Sequence, residues 1–213
     1  MNEVPLQLLV DTSHKSPDVG YGILLFMPAK PSLEQVREFV IAGHGELAKV
    51  QSMLSADAEL LNEVHEWKSD DHETAIMGAA HVGNVPIAEY LLSKGAPLAI
   101  YTAAMLGRAS DVRRMVRTDP TSVRLAGAHA IPLLAHAAHC GDVDLCQFLF
   151  ESGARTGGAQ AAAHAIGGGH TALALWLISA TNPDSRWKNF RGKTLLDIAA
   201  ERGMEEVVQR LTT

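Results

Sequence analysis

The stretch T-L-L-D-I-A-A-E-R-G, Thr194 to Gly203, followed by E-V-V-Q-R-L to Leu211, decides how this chain folds. Ala199 and Ala200 are small enough to let one helix approach its neighbour closely. Gly203 supplies a tight turn, and a second apolar-striped helix follows it. The same arrangement recurs around Gly45, Gly83, Gly107, Gly141 and Gly169. Three and four residues before these glycines lie Ile41-Ala42, Ala79-Ala80, Ala103-Ala104, Ala137-Ala138 and Ala165-Ile166. Eight residues after all six lie Met53, Leu91, Met115, Leu149, Leu177 and Leu211. The unit is a helix-turn-helix, repeated six times.

Thr194 to Leu211 resembles an ankyrin repeat, whose pattern is T-P-L-H-x-A-A-x-x-G-H followed by V-x-x-L-L and Gly-Ala. The second unit, T-A-I-M-G-A-A-H-V-G from Thr74 to Gly83, continues to Y-L-L-S-K-G-A at Ala96, and the fourth ends with F-L-F-E-S-G-A from Phe148 to Ala154. Six copies in register make a strong signal. The resemblance implies an all-α ankyrin-repeat solenoid over residues 32–213, like the short stand-alone bacterial proteins built only from such repeats. First helices are expected near 32–44, 74–82, 98–106, 132–140, 160–168 and 194–202. Second helices are expected near 46–54, 85–93, 109–117, 143–151, 171–179 and 205–211.

Successive turn glycines are 38, 24, 34, 28 and 34 residues apart, against roughly 33 for an ankyrin unit. Long and short connections therefore alternate. The long ones, Ser55 to Glu73, Thr118 to Ile131 and Ala180 to Lys193, have room for a projecting finger. The 24-residue unit has none, because its chain passes from S-K-G-A-P almost directly into the next helix.

Composition is that of an ordinary folded chain, with 47% apolar and 20% charged residues. A net charge of −6 with scattered Lys and Arg argues against nucleic acid as partner. Two cysteines make no disulfide framework, and no stretch is long and apolar enough for a membrane span. The expectation is a cytoplasmic monomer.

Residues 1–31 read as an N-terminal extension. No basic segment precedes its apolar runs, so a signal peptide is not expected. Two readings stay open: Met27 as the natural start, or Val19 to Phe26 as a flap over the first repeat. Ser32-Leu33-Glu34-Gln35 reads as a capping box opening the first helix.

Catalytic motifs are missing. Cys146 falls five residues after Gly141, where other units carry Val50, Ala88, Val112, Ala174 and Val208, so it reads as a core thiol rather than a metal ligand with Cys140. Gly167-Gly168-Gly169 lacks the strand and the Lys-Ser/Thr of a phosphate cradle. Asp70-Asp71-His72-Glu73 reads as an acidic loop entering the second unit. No catalytic residue, cofactor or metal is assigned, and the chain is read as a non-enzyme.

The histidines carry more. Positions five, two and one before each turn glycine share one face of the first helix. On it fall His44, His81, His136, His139 and His164, with Met105 and Cys140. In ankyrin folds that face lines the concave groove. The long connections add Trp67, Asp70, Asp71, Glu73, His129, Arg186, Trp187, Phe190 and Arg191, residue types suited to recognition on loops. The resemblance implies a protein-interaction module that binds another protein through groove and fingers. An alternative reading keeps Trp67, Glu73, His81, His129, His136 and His139 as a pocket for a small ligand or metal ion, with hydrolytic chemistry conceivable. On either reading the site centres on His81, His136 and His139 between units two and four.

Overall fold

A computed structural model describes residues 30–213. The apolar runs before Met27, the Met27 start and the Val19–Phe26 flap lie outside the described residues. Among the described residues twelve α-helices pair as the repeat pattern expects: α1 (Leu33–Ala42) with α2 (Leu47–Ala56), α3 (Ala75–Val82) with α4 (Val85–Ser93), and α5 (Ile100–Met105) with α6 (Ala109–Thr118). They continue with α7 (Leu133–Ala137) and α8 (Val143–Glu151), α9 (Gly158–Gly167) and α10 (Thr171–Thr181), and α11 (Leu195–Glu201) and α12 (Glu205–Thr212). A 3₁₀ turn, Ala138–Cys140, extends α7. The first helices stack in one layer, α1 on α3, α3 on α5, α5 on α7, α7 on α9 and α9 on α11. In the second layer α2 meets α4, α8 meets α10 and α10 meets α12.

Local chemistry starts these helices where the sequence says. The Ser32 hydroxyl accepts from the Gln35 amide while the Gln35 side chain accepts from the Ser32 amide at 2.9 Å, and Thr194 with Asp197 repeats this box at α11. Ala79, Ala80, Ala103, Ala104, Ala137, Ala138, Ala165 and Ala199 are fully buried between layers. So are the plus-five residues Val50, Ala88, Val112, Cys146 and Ala174, which makes Cys146 a core thiol whose pKa burial pushes up. Leu91, Leu149 and Leu177 are fully buried too, whereas Met53, Met115 and Leu211 are only half-buried.

The turn glycines are left-handed at Gly83, Gly107, Gly141, Gly169 and Gly203 but not at Gly45. In the first unit the demanding position is Gly43, where an added methyl group would lie 2.5 Å from the Ala75 carbonyl oxygen. The end of α1 thus lies against the α3 backbone with no room for a side chain.

The long connections differ from one another. The first forms a 3₁₀ turn, Ala58–Asn62, and then an antiparallel hairpin of β1 (His65–Lys68) and β2 (Asp71–Glu73). The second has two 3₁₀ turns, Pro120–Arg124 and Ala128–Ala130, and a single bridge between Ala126 and Pro132. The third is irregular. The third unit has no finger, and α5, six residues long, is the shortest of the first helices apart from α7.

That short unit lets its neighbours meet across it. From the fourth unit, His136 Nδ1–H donates to the Ala80 carbonyl at 3.2 Å and the His139 Nε2 position meets the His81 carbonyl at 3.1 Å, both on α3 of the second unit. Similar bonds tie turns together elsewhere. Asn84 reaches the His44 carbonyl, and His170 Nε2 reaches the His139 carbonyl at 3.1 Å.

Candidate functional site

The hairpin places the most unusual group in the protein. Its register slips between Glu66 and Lys68, leaving Trp67 outside the ladder, and such bulges re-aim a side chain. The Trp67 indole N–H donates to Glu73 Oε2 at 2.7 Å. Glu73 follows at the end of β2 with its side chain fully buried, and the other oxygen, Oε1, accepts no hydrogen bond.

Three imidazoles converge on that carboxylate. His44 Nε2 lies 3.4 Å from Oε1, His81 Nδ1 lies 3.1 Å from Oε1, and His129 Nε2 lies 3.6 Å from Oε2. They come from the turn after α1, from α3 and from the loop before α7. Four donor atoms, one from each residue, all lie within 4.8 Å of one another.

The outer nitrogens fix two of the rings. His44 Nδ1 faces the Val40 carbonyl at 3.0 Å and the Ile41 carbonyl at 3.2 Å, so in the neutral ring it carries the proton and Nε2 presents a lone pair inward. His129 Nδ1–H donates to Asp71 Oδ2 at 3.0 Å, and Asp71 Oδ1 accepts the His129 backbone N–H at 2.9 Å. The Nε2 of His129 is therefore turned to Glu73. His81 Nδ1 is buried and forms no hydrogen bond of good geometry despite its short distance to Oε1. His129 and Ala130 both hold left-handed backbone, at φ 56° and 54°, a conformation that costs non-glycine residues energy and gathers at functional sites.

Electrostatics agree with convergence. Burial raises the Glu73 pKa, but the adjoining His44 and His81 imidazoles and the Trp67 N–H outweigh it and hold the carboxyl down at about 2. The nearby Glu73 carboxylate in turn raises the His44 pKa against the effect of burial.

The structure thus brings Trp67, Asp71, Glu73, His81 and His129 together and adds His44. The repeat register puts His44 on the shared face but does not single it out. Its position one residue before the turn glycine, next to that of His81 two before, was the available signal. Asp70 stands apart, exposed in the left-handed turn between β1 and β2.

His136, His139 and His164 are placed differently from the expectation of a groove-lining cluster. His136 is fully buried beneath Tyr101, with ring centroids 5.4 Å apart, and burial lowers its pKa to about 4. His139 stacks on His164 at 4.1 Å, and burial lowers its pKa to about 3. His164 Nδ1 meets the Ala135 carbonyl at 2.9 Å, and burial lowers its pKa as well. Met105 is buried in the core. Each of the three imidazoles places one ring nitrogen against a backbone carbonyl of another helix.

The third long connection lies between α10 and α11, among the C-terminal units. Trp187 is half-buried against the core rather than projecting, and Arg186 is held by Asp184. Phe190 is 92% exposed, with the Arg191 guanidinium 5.2 Å from its ring centre.

Family models for ankyrin repeats match residues 71–108 and, as three consecutive copies, residues 133–213. The chain belongs to the ankyrin-repeat family. No curated protein matches it. Ankyrin repeats are in general protein-interaction modules and typically non-enzymatic scaffolds. The second of the two matched regions coincides with units four to six, and the first runs from β2 through unit two to the turn of unit three. Among the described residues no helix is long and apolar enough to cross a membrane.

Proposed function

We propose that this ankyrin chain is a non-catalytic interaction module whose fingers, rather than its groove floor, engage a partner protein. The observation that carries this reading is Phe190, an almost fully exposed aromatic ring on a loop that is itself tightly built. Asn189 accepts the Arg191 and Lys193 amides at 2.9 Å and 3.0 Å through its side chain, and its own backbone N–H donates to the Lys193 carbonyl at 2.9 Å. Trp187 anchors the base of the loop in the core. A rigid aromatic beside arginine loses little entropy on binding and is the composition of an interface hot spot.

The charge around it narrows the partner. Lys188 and Arg191 flank Phe190, while Arg186 and Lys193 are already paired with Asp184 and Glu201. A complementary surface is an apolar pocket rimmed by carboxylates. The groove floor is a poorer candidate because His136 is buried, His139 and His164 are half-buried, and each ring is hydrogen-bonded within the array.

Co-purification of partners with the parent and with F190A and F190A/R191A, quantified side by side, tests the reading. A protein that the parent retains and both variants lose supports it. Retention unchanged in both variants means the finger is not the contact.

A further inference from the structure

We propose that His44, Glu73, His81 and His129 form a four-ligand site for a divalent transition-metal ion of the zinc class. Four-coordinate zinc with bonds of ~2.0–2.1 Å sets its ligand atoms about 3.3–3.4 Å apart. His44 Nε2 and His81 Nδ1 stand 3.4 and 3.1 Å from Glu73 Oε1, His129 Nε2 stands 3.6 Å from Oε2, and the four donor atoms lie within 4.8 Å of one another. The two separations to Oε1 are close to the spacing a bound ion would impose, and the third imidazole stands near enough to join them on a small movement of its loop.

Two buried atoms lack hydrogen-bond partners there, Glu73 Oε1 and His81 Nδ1. A buried carboxylate oxygen without a donor is costly, and a cation between it and the imidazoles removes that cost. With Oε2 held by Trp67, Oε1 is the oxygen left to coordinate. His44 and His129 direct unprotonated Nε2 atoms at the same point because their Nδ1 protons are engaged outside.

The outer shell is also that of a metal site. Asp71 accepting from His129 Nδ1 is the carboxylate–histidine arrangement that orients a ligand ring and raises its basicity. Val40 and Ile41 carbonyls do the same for His44. Three imidazoles with one carboxylate suit zinc-class ions, whereas Mg²⁺ and Ca²⁺ take sets of oxygen atoms. Four protein ligands fill a tetrahedron, so the site is structural and needs no water for chemistry.

An ion here would join the first unit, the hairpin, the second unit and the loop before the fourth. The missing finger of the third unit is what allows this. β2 and the Ala128–Ala130 turn pack together, and a full finger between them would hold His129 away from Glu73.

The test uses the full chain stripped with a chelator and then titrated with Zn²⁺ by calorimetry, and with Co²⁺ followed by its visible absorption. The expected result is one equivalent bound per chain, with the strong bands of four-coordinate cobalt. H44A and H129A should each weaken Zn²⁺ binding at least ~10-fold, and D71N by about 10–100-fold. H72A, an exposed imidazole on the same hairpin, and F190A should bind as the parent does. Circular dichroism establishes that each variant is folded. H129A carries the decision if H44A loses its helices, since the His129 side chain is partly exposed on a loop. No saturable one-equivalent binding by the folded parent, or affinity unchanged in folded H129A, overturns the site. The F190A arm separates this outcome from any failure of the finger reading.

Discussion

Asp71 grips His129 twice across 58 residues of sequence, one oxygen on the backbone N–H at 2.9 Å and the other facing ring Nδ1 at 3.0 Å. A single carboxylate thus fixes both the left-handed backbone and the ring orientation of a residue from another repeat. Asp71→Ala should free the His129 backbone amide to exchange. Hydrogen–deuterium exchange on the peptide spanning residues 126–132 should show protection falling, with α7 and α9 unchanged. Equal protection in parent and variant would mean the loop holds itself.

Packing between repeats should dominate stability. Leu91→Ala or Leu149→Ala, each at a fully buried position, should cost about 2–5 kcal/mol in urea denaturation. Phe190→Ala, at a ring open to solvent, should stay within about 0.5 kcal/mol of the parent. Trp187→Ala should fall between them, because that ring is half-buried against the core.

Glycines make a sharper contrast. Gly43→Ala should destabilise by about 1–3 kcal/mol, since the added methyl group meets the α3 backbone and neither helix can give way without losing contacts elsewhere. Gly45→Ala meets nothing within 4 Å and has no positive φ, so it should be tolerated. Thermal unfolding of the two variants checks this.

Acid should weaken the array through its buried histidines. His136 and His139 are held neutral, with pKa values lowered to about 4 and about 3 from 6.5. Between pH 6.5 and those values the unfolded chain binds protons that the folded chain refuses, so stability is full above 6.5 and falls as pH drops. Each group contributes a slope of at most about 1.4 kcal/mol per pH unit. Glu73 adds loss in the same direction below 4.5, toward its value of about 2. His44, raised by Glu73, acts oppositely, its contribution being present below 6.5 and lost as pH rises through its folded value. Denaturation at pH 7.5, 6.0 and 5.0 should show a net fall, and His136→Gln should flatten it.

The helix pairs were legible because each unit writes the same message: a small pair, a turn glycine, and an apolar residue five places on. Ala103-Ala104 and Ala137-Ala138 could be aligned without knowing what they touch. The depth of His136 and His139 was not legible. Register places them on the face shared with His81, but their burial depends on reaching over a shortened α5 to carbonyls of α3, which is a property of three units together. The carboxylate cluster was half legible. Trp67, Asp71, Glu73, His81 and His129 stood out as residue types, yet nothing local says that Oε2 is taken by an indole and Oε1 left bare. Gly45 shows the converse: the pattern names it as the turn, while the steric demand falls on Gly43.

Repeat arrays are usually treated as strings of beads, each sensing only the bead on either side, so that melting can start at an end and walk inward. The bonds from His136, His139 and His129 back to the second unit break that rule, because they skip a bead. A string with second-neighbour ties cannot shed its units singly between Ala75 and Cys140. Opening the third unit strains both flanks, and opening either flank strips the bridge above the third. The shortest repeat, which alone would be the weak link, becomes the rung around which three units gain or lose their order as one.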